Sequence, residues 1–238
     1  GTGGSSSGGG SIPPTPETPG EVTSGTPYTL EWTEGKYINS ENGKEVEYEG
    51  YCISQYLSVV GMDFILFNNN SATTQVYNCF YDVGKNFISK ISCDHNKKIG
   101  IEIPENACYA RFSLTTSNKD NIEITPFVYL TKTWTDGVAY NLNLIDNKYI
   151  NADGSVESYN DWSMTDYLDC GKVSKLSIAG NTVETQYCVF LLPNKTILNS
   201  FKVTINNPCE VTVPLGANYF VISNKTSAMN AITVTPIA

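Results

Sequence analysis

The sequence predicts an all-β chain made of two tandem antiparallel β-sandwiches, jelly-roll-like in topology and related by internal duplication. Three observations predict this. The first is that the chain contains itself twice. Lys36-Tyr37-Ile38-Asn39, closed by Asn42-Gly43, returns as Lys148-Tyr149-Ile150-Asn151, closed by Asp153-Gly154, and Tyr56-Leu57 returns as Tyr167-Leu168. Pro104-x-x-Ala107-x-Tyr109 followed by Ser113 reappears as Pro214-x-x-Ala217-x-Tyr219 followed by Ser223, and Thr125-Pro126 as Thr235-Pro236. Ordered matches over about a hundred residues mark a duplicated domain, because solenoid units are only roughly 20 to 50 residues long. The second is composition: 15 Tyr, 9 Phe and 3 Trp against 3 Met and 16% charged residues is the usage of sheets joined by turns. The third is a hydrophobic period of two. Ile99, Ile101 and Ile103, then Ala110, Phe112 and Leu114, then Ile122 and Ile124 alternate with other residues; Val211 and Val213, Phe220 and Ile222, and Ile232 and Val234 answer in the second copy. Such alternation marks strands with one buried face.

Turn signals separate these strands at Asn42-Gly43, Asn68-Asn69-Asn70, Asp153-Gly154, Gly180-Asn181 and Asn206-Asn207-Pro208, and no segment carries a helical period. Several short strands per hundred residues indicate a sandwich, and the missing Cys-Trp-Cys arrangement of antibody domains favours a jelly-roll over an immunoglobulin-like topology. Residues 1–26 read as a stalk, Gly/Ser-rich and flexible at first, then stiffened by Pro13, Pro14, Pro16 and Pro19. The first sandwich is expected over 27–127 and the second over 128–238. Trp32-Thr33-Glu34-Gly35 matches Trp134-Thr135-Asp136-Gly137, after which the second copy carries an extra stretch before its Lys-Tyr-Ile-Asn. A boundary near Phe127 leaves almost no linker, so the copies should pack or pivot at a short joint. Each copy is large enough to bury a core without metal or disulfide staples. None of the seven cysteines recurs at its own position, so they read as small buried apolar groups in the reduced state. Cys79 with Cys108, and Cys188 with Cys209, stay open as alternative pairs.

Charge and motifs exclude several function classes. A net charge of −9 with 15 scattered basic residues argues against nucleic acid and against an anionic membrane surface, and no apolar run is long enough for membrane insertion. His95, the single histidine, sits beside Cys93 and Asp94 and reads as an exposed loop residue; the second copy has none, and zinc spacing is absent. Glu45, Glu47 and Glu49 read as a solvated strand face, not as the paired carboxylates of a glycosidase. No enzymatic activity and no cofactor are expected. Asp136 or Asp153 could lend oxygens to a structural calcium ion, but no Asp-x-Asp-x-Asp-Gly loop supports one.

The aromatic residues carry the functional expectation. Sugars present C–H faces that stack on rings while their hydroxyls are read by amides. A carbohydrate site is therefore expected at one end of a sandwich, built from Trp32, Trp134 or Trp162 with polar partners such as Asn39 and Asn151. The recurrent pairs Tyr37/Tyr149, Tyr56/Tyr167 and Tyr109/Tyr219 read mainly as residues the fold itself needs.

The order Trp-x-x-Gly, Tyr-Ile-Asn with a Gly turn, a Tyr-Leu strand, Phe80-Tyr81-Asp82-Val83-Gly84-Lys85-Asn86-Phe87-Ile88, then Ile103-Pro104-x-x-Ala107-x-Tyr109-x-Arg111-Phe112-Ser113 resembles the small β-sandwich modules of bacteriophage and prophage tail-fibre or baseplate-associated proteins and of gut-bacterial surface proteins. Copy two departs from it at Phe190-Leu191-Leu192-Pro193-Asn194-Lys195 and at Val221. The resemblance implies an extracellular, cell-surface or virion location and attachment to a glycan or cell-surface polysaccharide. The alternative is a spacer or adhesin segment that engages other subunits of a fibre or surface assembly.

Overall fold

The computed structural model describes residues 18–70, 77–91, 98–180, 185–204 and 208–238. His95 and Cys93, the Gly/Ser stretch of the stalk with Pro13, Pro14 and Pro16, and the turns at Asn181 and Asn206-Asn207 lie outside them. The first copy runs β1 (Trp32–Ile38), β2 (Glu45–Ser54), β3 (Leu57–Ser58), β4 (Phe64–Asn69), β5 (Tyr77–Tyr81), β6 (Phe87–Ile91), β7 (Lys98–Glu102), β8 (Tyr109–Thr115) and β9 (Ile122–Phe127). The second runs β10 (Leu144–Ile150), β11 (Val156–Thr165), β12 (Leu168–Asp169), β13 (Lys175–Ala179), β14 (Thr185–Leu191), β15 (Ile197–Thr204), β16 (Cys209–Thr212), β17 (Tyr219–Lys225) and β18 (Thr233–Ile237). In each copy one sheet has the order β1-β2-β8-β5-β6 or β10-β11-β17-β14-β15, with the short β3 or β12 added to β8 or β17; the facing sheet is β7-β4-β9 or β16-β13-β18. All pairings are antiparallel, and the chain crosses repeatedly between the two sheets, as in a jelly-roll.

Each sandwich closes its own core. Cys52, Ile65, Phe67, Phe112, Leu114 and Ile124 meet in the first, and Leu176, Ile178, Cys188, Phe220, Ile222 and Val234 in the second. Pro104 and Pro214 stand at the same turn, each accepting from the alanine three residues on, Ala107 or Ala217, at 3.0 Å. The expected one-sided burial of β8 is corrected: Arg111 and Ser113, which alternate with Phe112 and Leu114, are buried as well. The β1–β2 hairpin folds over the outer face of the sheet and covers them. Ile38 packs there with Ile53, Cys79, Tyr81 and Tyr109, while its N–H donates to Ser113 Oγ.

The match of Trp32 with Trp134 is also corrected. Trp32 lies in β1 opposite Ser54, and its place in copy two is taken by Leu144 opposite Thr165. Gly137 instead occupies the place of Gly25: their N–H groups donate to Pro236 and Pro126, and those of Tyr140 and Tyr28 to Val234 and Ile124. The second copy therefore has no insertion before its Lys-Tyr-Ile-Asn. The two Trp-Thr-acid-Gly stretches are alike in composition and differ in register, which the ladders fix.

The copies pack against one another. The outer side of β4 carries Phe64 and Leu66, which together with Phe127 are buried against Leu192 of copy two. The rings of Phe64 and Phe127 stack at 5.3 Å, and Tyr129 completes the cluster. Polar contacts between the copies frame it: Lys172 Nζ to Asp63 Oδ1 at 3.0 Å, Tyr129 N–H to Asp63 Oδ2 at 2.8 Å, and Lys98 Nζ to the Ile197 carbonyl at 2.8 Å. Gly100 lies so close to Leu215 that a Cβ there would overlap its carbonyl oxygen and come within 2.8 Å of its Cδ2. At the matching register positions copy two has Lys175 for Phe64, Ser177 for Leu66 and Glu210 for Gly100. Copy one likewise shows Asp82 and Glu105 where copy two offers Leu192 and Leu215. The apolar pair of surfaces thus exists only where the two sandwiches meet.

Arg111 marks a second divergence. Its guanidinium donates to Glu45 Oε1 at 2.8 Å and to the Ser54 carbonyl at 3.0 Å, and lies 4.3 Å from the centre of the Tyr56 ring. Glu45, read from the sequence as solvated, is the counter-ion of a buried cation. In copy two the two places are held by Val221 and Val156, an apolar pair in place of an ionic one. The Arg111 hydrogen bond is the largest cause holding the Glu45 carboxyl below its ordinary range. A depressed carboxyl contributes stability above the unfolded value near pH 4, and that contribution is lost as pH falls through the lowered native value. Glu45→Gln is expected to destabilise copy one at neutral pH by about 1 to 2 kcal/mol, less than a fully buried pair because Glu45 is half in solvent, and to flatten its loss of stability in acid. Denaturant titrations at neutral and acidic pH check this; unchanged acid sensitivity would remove the pair from the account.

The six cysteines among the described residues are free, including Cys79, Cys108, Cys188 and Cys209. Burial pushes the Cys52 and Cys79 thiols up to about 11, so they are poor nucleophiles that pack as small apolar groups.

Candidate functional site: a duplicated aromatic cluster at a strand bulge

The β1–β2 ladder breaks at one place. Glu34 faces Cys52, yet Lys36 faces Glu47, so Tyr48-Glu49-Gly50-Tyr51 bulges out opposite the single residue Gly35. Gly35 and Gly50 have φ of 80° and 84°, the left-handed conformation that turns the strand sharply. Copy two repeats the device between Asp146 and Lys148, where Tyr159-Asn160-Asp161-Trp162 bulges opposite Asn147. There Asn147 (55°) and Asp161 (65°) hold the same conformation, which these two side chains tolerate better than others.

Each bulge gathers four rings. Tyr37 lies 5.9 Å from Tyr48, 5.9 Å from Tyr51 and 5.5 Å from Tyr77, and Tyr48 stands nearly perpendicular to both Tyr37 and Tyr51. In copy two Tyr149 lies 6.0 Å from Tyr159 and 5.8 Å from Trp162, and Trp162 lies 5.7 Å from Tyr187. Tyr48 and Tyr159 are 59% and 58% exposed. Rings this exposed are not needed by the core, and their recurrence calls for another cause. A cavity of about 360 Å³ opens among Tyr37, Asn39, Ser40, Tyr48, Tyr51 and Tyr77. A cavity of about 390 Å³ opens in copy two, lined by Tyr149, Asn151, Tyr187, Ser200 and Lys202 among others.

The polar surroundings are mainly acidic. Lys36 sits between Glu45 and Glu47 at 3.0 and 3.4 Å. Tyr149 Oη donates to Glu157 Oε2 at 2.9 Å, the first cause of its raised phenol pKa, while burial and then the neighbouring tyrosines raise that of Tyr51. These phenols stay protonated at physiological pH. Asn151 Nδ2 donates to Ser155 Oγ and Glu157 Oε1, and Asn39 Oδ1 accepts the Glu41 N–H.

The candidate site residues stand in different settings. Trp162 packs on Tyr149 in copy two, Asn151 lines the cavity beside Tyr149, and Asn39 lines the copy-one cavity, where Tyr51 stands in the place of Trp162. Trp32 is half-buried against the first core. Trp134 is 6% exposed, its indole N–H donates to the Gly171 carbonyl at 2.9 Å, and Lys132 Nζ covers its ring at 3.6 Å. It is a core residue, with no face open to a sugar. Sequence reasoning passed over Tyr48, Tyr77, Tyr159 and Tyr187, although the repeat carried them: Tyr48-x-x-Tyr51 answers Tyr159-x-x-Trp162, and Tyr77 answers Tyr187.

A second recurrent set is closed by its own cations. Lys85 lies over Tyr56 and Tyr109, and Lys195 over Tyr167 and Tyr219. The candidate calcium oxygens are far apart in role, Asp136 Oδ1 accepting the Ala238 N–H and Asp153 Oδ1 the Ser155 N–H and Oγ. Among the described residues no three His, Cys, Asp or Glu side chains group as metal ligands. A further cavity, about 650 Å³, lies in the cleft between the copies, beside the Asp63–Lys172 pair and Tyr129. No protein-family model matches the chain, and no curated protein matches it.

Proposed function

We propose that the chain is a non-enzymatic, extracellular or virion-surface attachment module that binds carbohydrate at the two bulge clusters, Tyr37/Tyr48/Tyr51/Tyr77 and Tyr149/Tyr159/Trp162/Tyr187. The observation that carries this reading is the exposure of Tyr48 and Tyr159 at equivalent bulges of two otherwise diverged copies. Perpendicular rings beside amide and hydroxyl groups suit a pyranose, whose apolar face stacks while its edge hydroxyls meet Asn39 and Ser40, or Asn151 and Ser200. A role in a bacteriophage tail or bacterial surface protein belongs to the same proposal. The alternative, a spacer that engages other subunits, draws on the apolar contact between the copies. The polar residues at the matching outer positions, Lys175, Ser177 and Glu210, weigh against further stacking there.

A glycan array probed with the whole chain and with the Tyr48→Ala/Tyr159→Ala double variant tests the proposal. Binding by the parent chain and loss of at least tenfold in the variant, the effect of about 1 to 3 kcal/mol per modest hot spot, is expected. Equal binding by both proteins would move recognition away from the clusters.

A further inference from the structure

We infer that the two clusters act together on one chain of a repeating, non-anionic polysaccharide, at a separation fixed by the joint between the copies. This rests on the carbohydrate reading above and adds to it the class of ligand and the mode of engagement. Three observations carry it.

The first is that both copies keep the bulge and its four rings although they have exchanged much else. The Arg111–Glu45 pair of copy one is matched in copy two by Val221 with Val156, and the β4–β7 face of Phe64, Leu66 and Gly100 by Lys175, Ser177 and Glu210. A single site would have left the other copy's rings free to be lost in the same way.

The second is the joint. Phe64, Leu66, Phe127 and Leu192 form one buried cluster, Gly100 admits the Leu215 backbone, and Asp63–Lys172 and Lys98 to Ile197 bridge its rim. Two binding sites on packed bodies keep one separation, so a ligand long enough to reach both meets the second site at high effective concentration; a flexible tether would dilute it.

The third is charge. The chain carries −9 overall, Lys36 beside the first cluster is held by Glu45 and Glu47, and among the described residues the copy-one cavity is lined by no basic side chain and the copy-two cavity by Lys202. A polymer of uronate or sulfate groups would meet the repulsive field of this net charge, with no cation in the copy-one cavity to offset it, whereas neutral or amino sugars would not. The sites are also unlike in detail, with Trp162 for Tyr51 and with Lys202 lying over Tyr187, which fits two positions on one polymer better than two copies of one small ligand.

The test compares the whole chain with its Tyr48→Ala and Tyr159→Ala single variants, both at residues more than half exposed, so folding is not at stake. Affinity electrophoresis and calorimetry would use galactomannan, xyloglucan and mannan, the trisaccharides cut from each, and alginate as the anionic polymer. The expected result is that a neutral polymer, counted per trisaccharide unit, binds on the order of a hundredfold more tightly than its trisaccharide. Either single variant should remove that gain and leave trisaccharide binding at the intact site. Equal affinity for polymer and trisaccharide would overturn the inference while leaving the carbohydrate reading in place. Preference for alginate would overturn the non-anionic assignment. Absence of binding to every saccharide would overturn the inference together with the reading it rests on.

Discussion

Gly100→Glu is expected to part the two sandwiches without unfolding either. The substitution installs the residue that copy two carries at the same register position, where Glu210 is exposed to solvent and pairs with Lys175 at 2.9 Å. In copy one the same side chain must enter the space held by Leu215, where even a Cβ overlaps the carbonyl oxygen. The contact can only open, and Phe64, Leu66 and Leu192 are then returned to water at about 2 kcal/mol each. Each core is separate from the joint, so its own ladders survive. Small-angle scattering should show a longer particle, and calorimetry should resolve two transitions where the parent chain shows one coupled transition. A variant with the parent's scattering curve and a single transition would mean that the joint is not held by this contact.

Trp134→Ala should be the most damaging single change in copy two. The ring is buried among Leu168, Cys170, Val173 and Ala217, and its N–H satisfies the Gly171 carbonyl. Truncating a buried Trp costs about 3 to 5 kcal/mol, and in a domain of this size about 1 kcal/mol shifts the midpoint by roughly 4 to 8 °C. A fall of more than ten degrees in the copy-two transition, resolved in the Gly100→Glu background, is therefore expected, with saccharide binding unchanged at temperatures where the variant is still folded. A stable variant that had lost binding would restore Trp134 to the site and contradict its core assignment.

The fold was legible because its two signals are local and repeated. Period-two alternation and turn residues recur at matching positions in both copies, and strand pairing requires nothing else. The joint was legible in principle and was passed over. Phe64-Ile65-Leu66-Phe67 is a continuous apolar run, the mark of a strand buried on both faces, while its counterpart Lys175-Leu176-Ser177-Ile178 alternates. Reading the two copies against each other at that strand would have exposed the interface. The site was harder because it depends on a register break. Nothing in Tyr48-Glu49-Gly50-Tyr51 says that Tyr48 and Tyr51 lie on one side until the bulge is known, and in a regular strand they would point to opposite faces. Trp134 misled for a related reason: its neighbours resemble those of Trp32, but hydrogen bonds set equivalence, and these place Leu144 opposite Thr165 in the role of Trp32.

The chain has three indoles in three different settings, and this makes one measurement decisive for the aromatic clusters as the carbohydrate site. In a ¹H–¹⁵N spectrum of the whole chain, titrated with the saccharide that binds best, the Trp162 indole signal should move, because its ring belongs to the copy-two cluster beside Tyr149 and Tyr187. The Trp134 signal, locked on the Gly171 carbonyl, and the Trp32 signal, packed on the first core, should stay in place. Movement of Trp32 or Trp134 with Trp162 unmoved would contradict the account and put the binding surface elsewhere on the sandwiches.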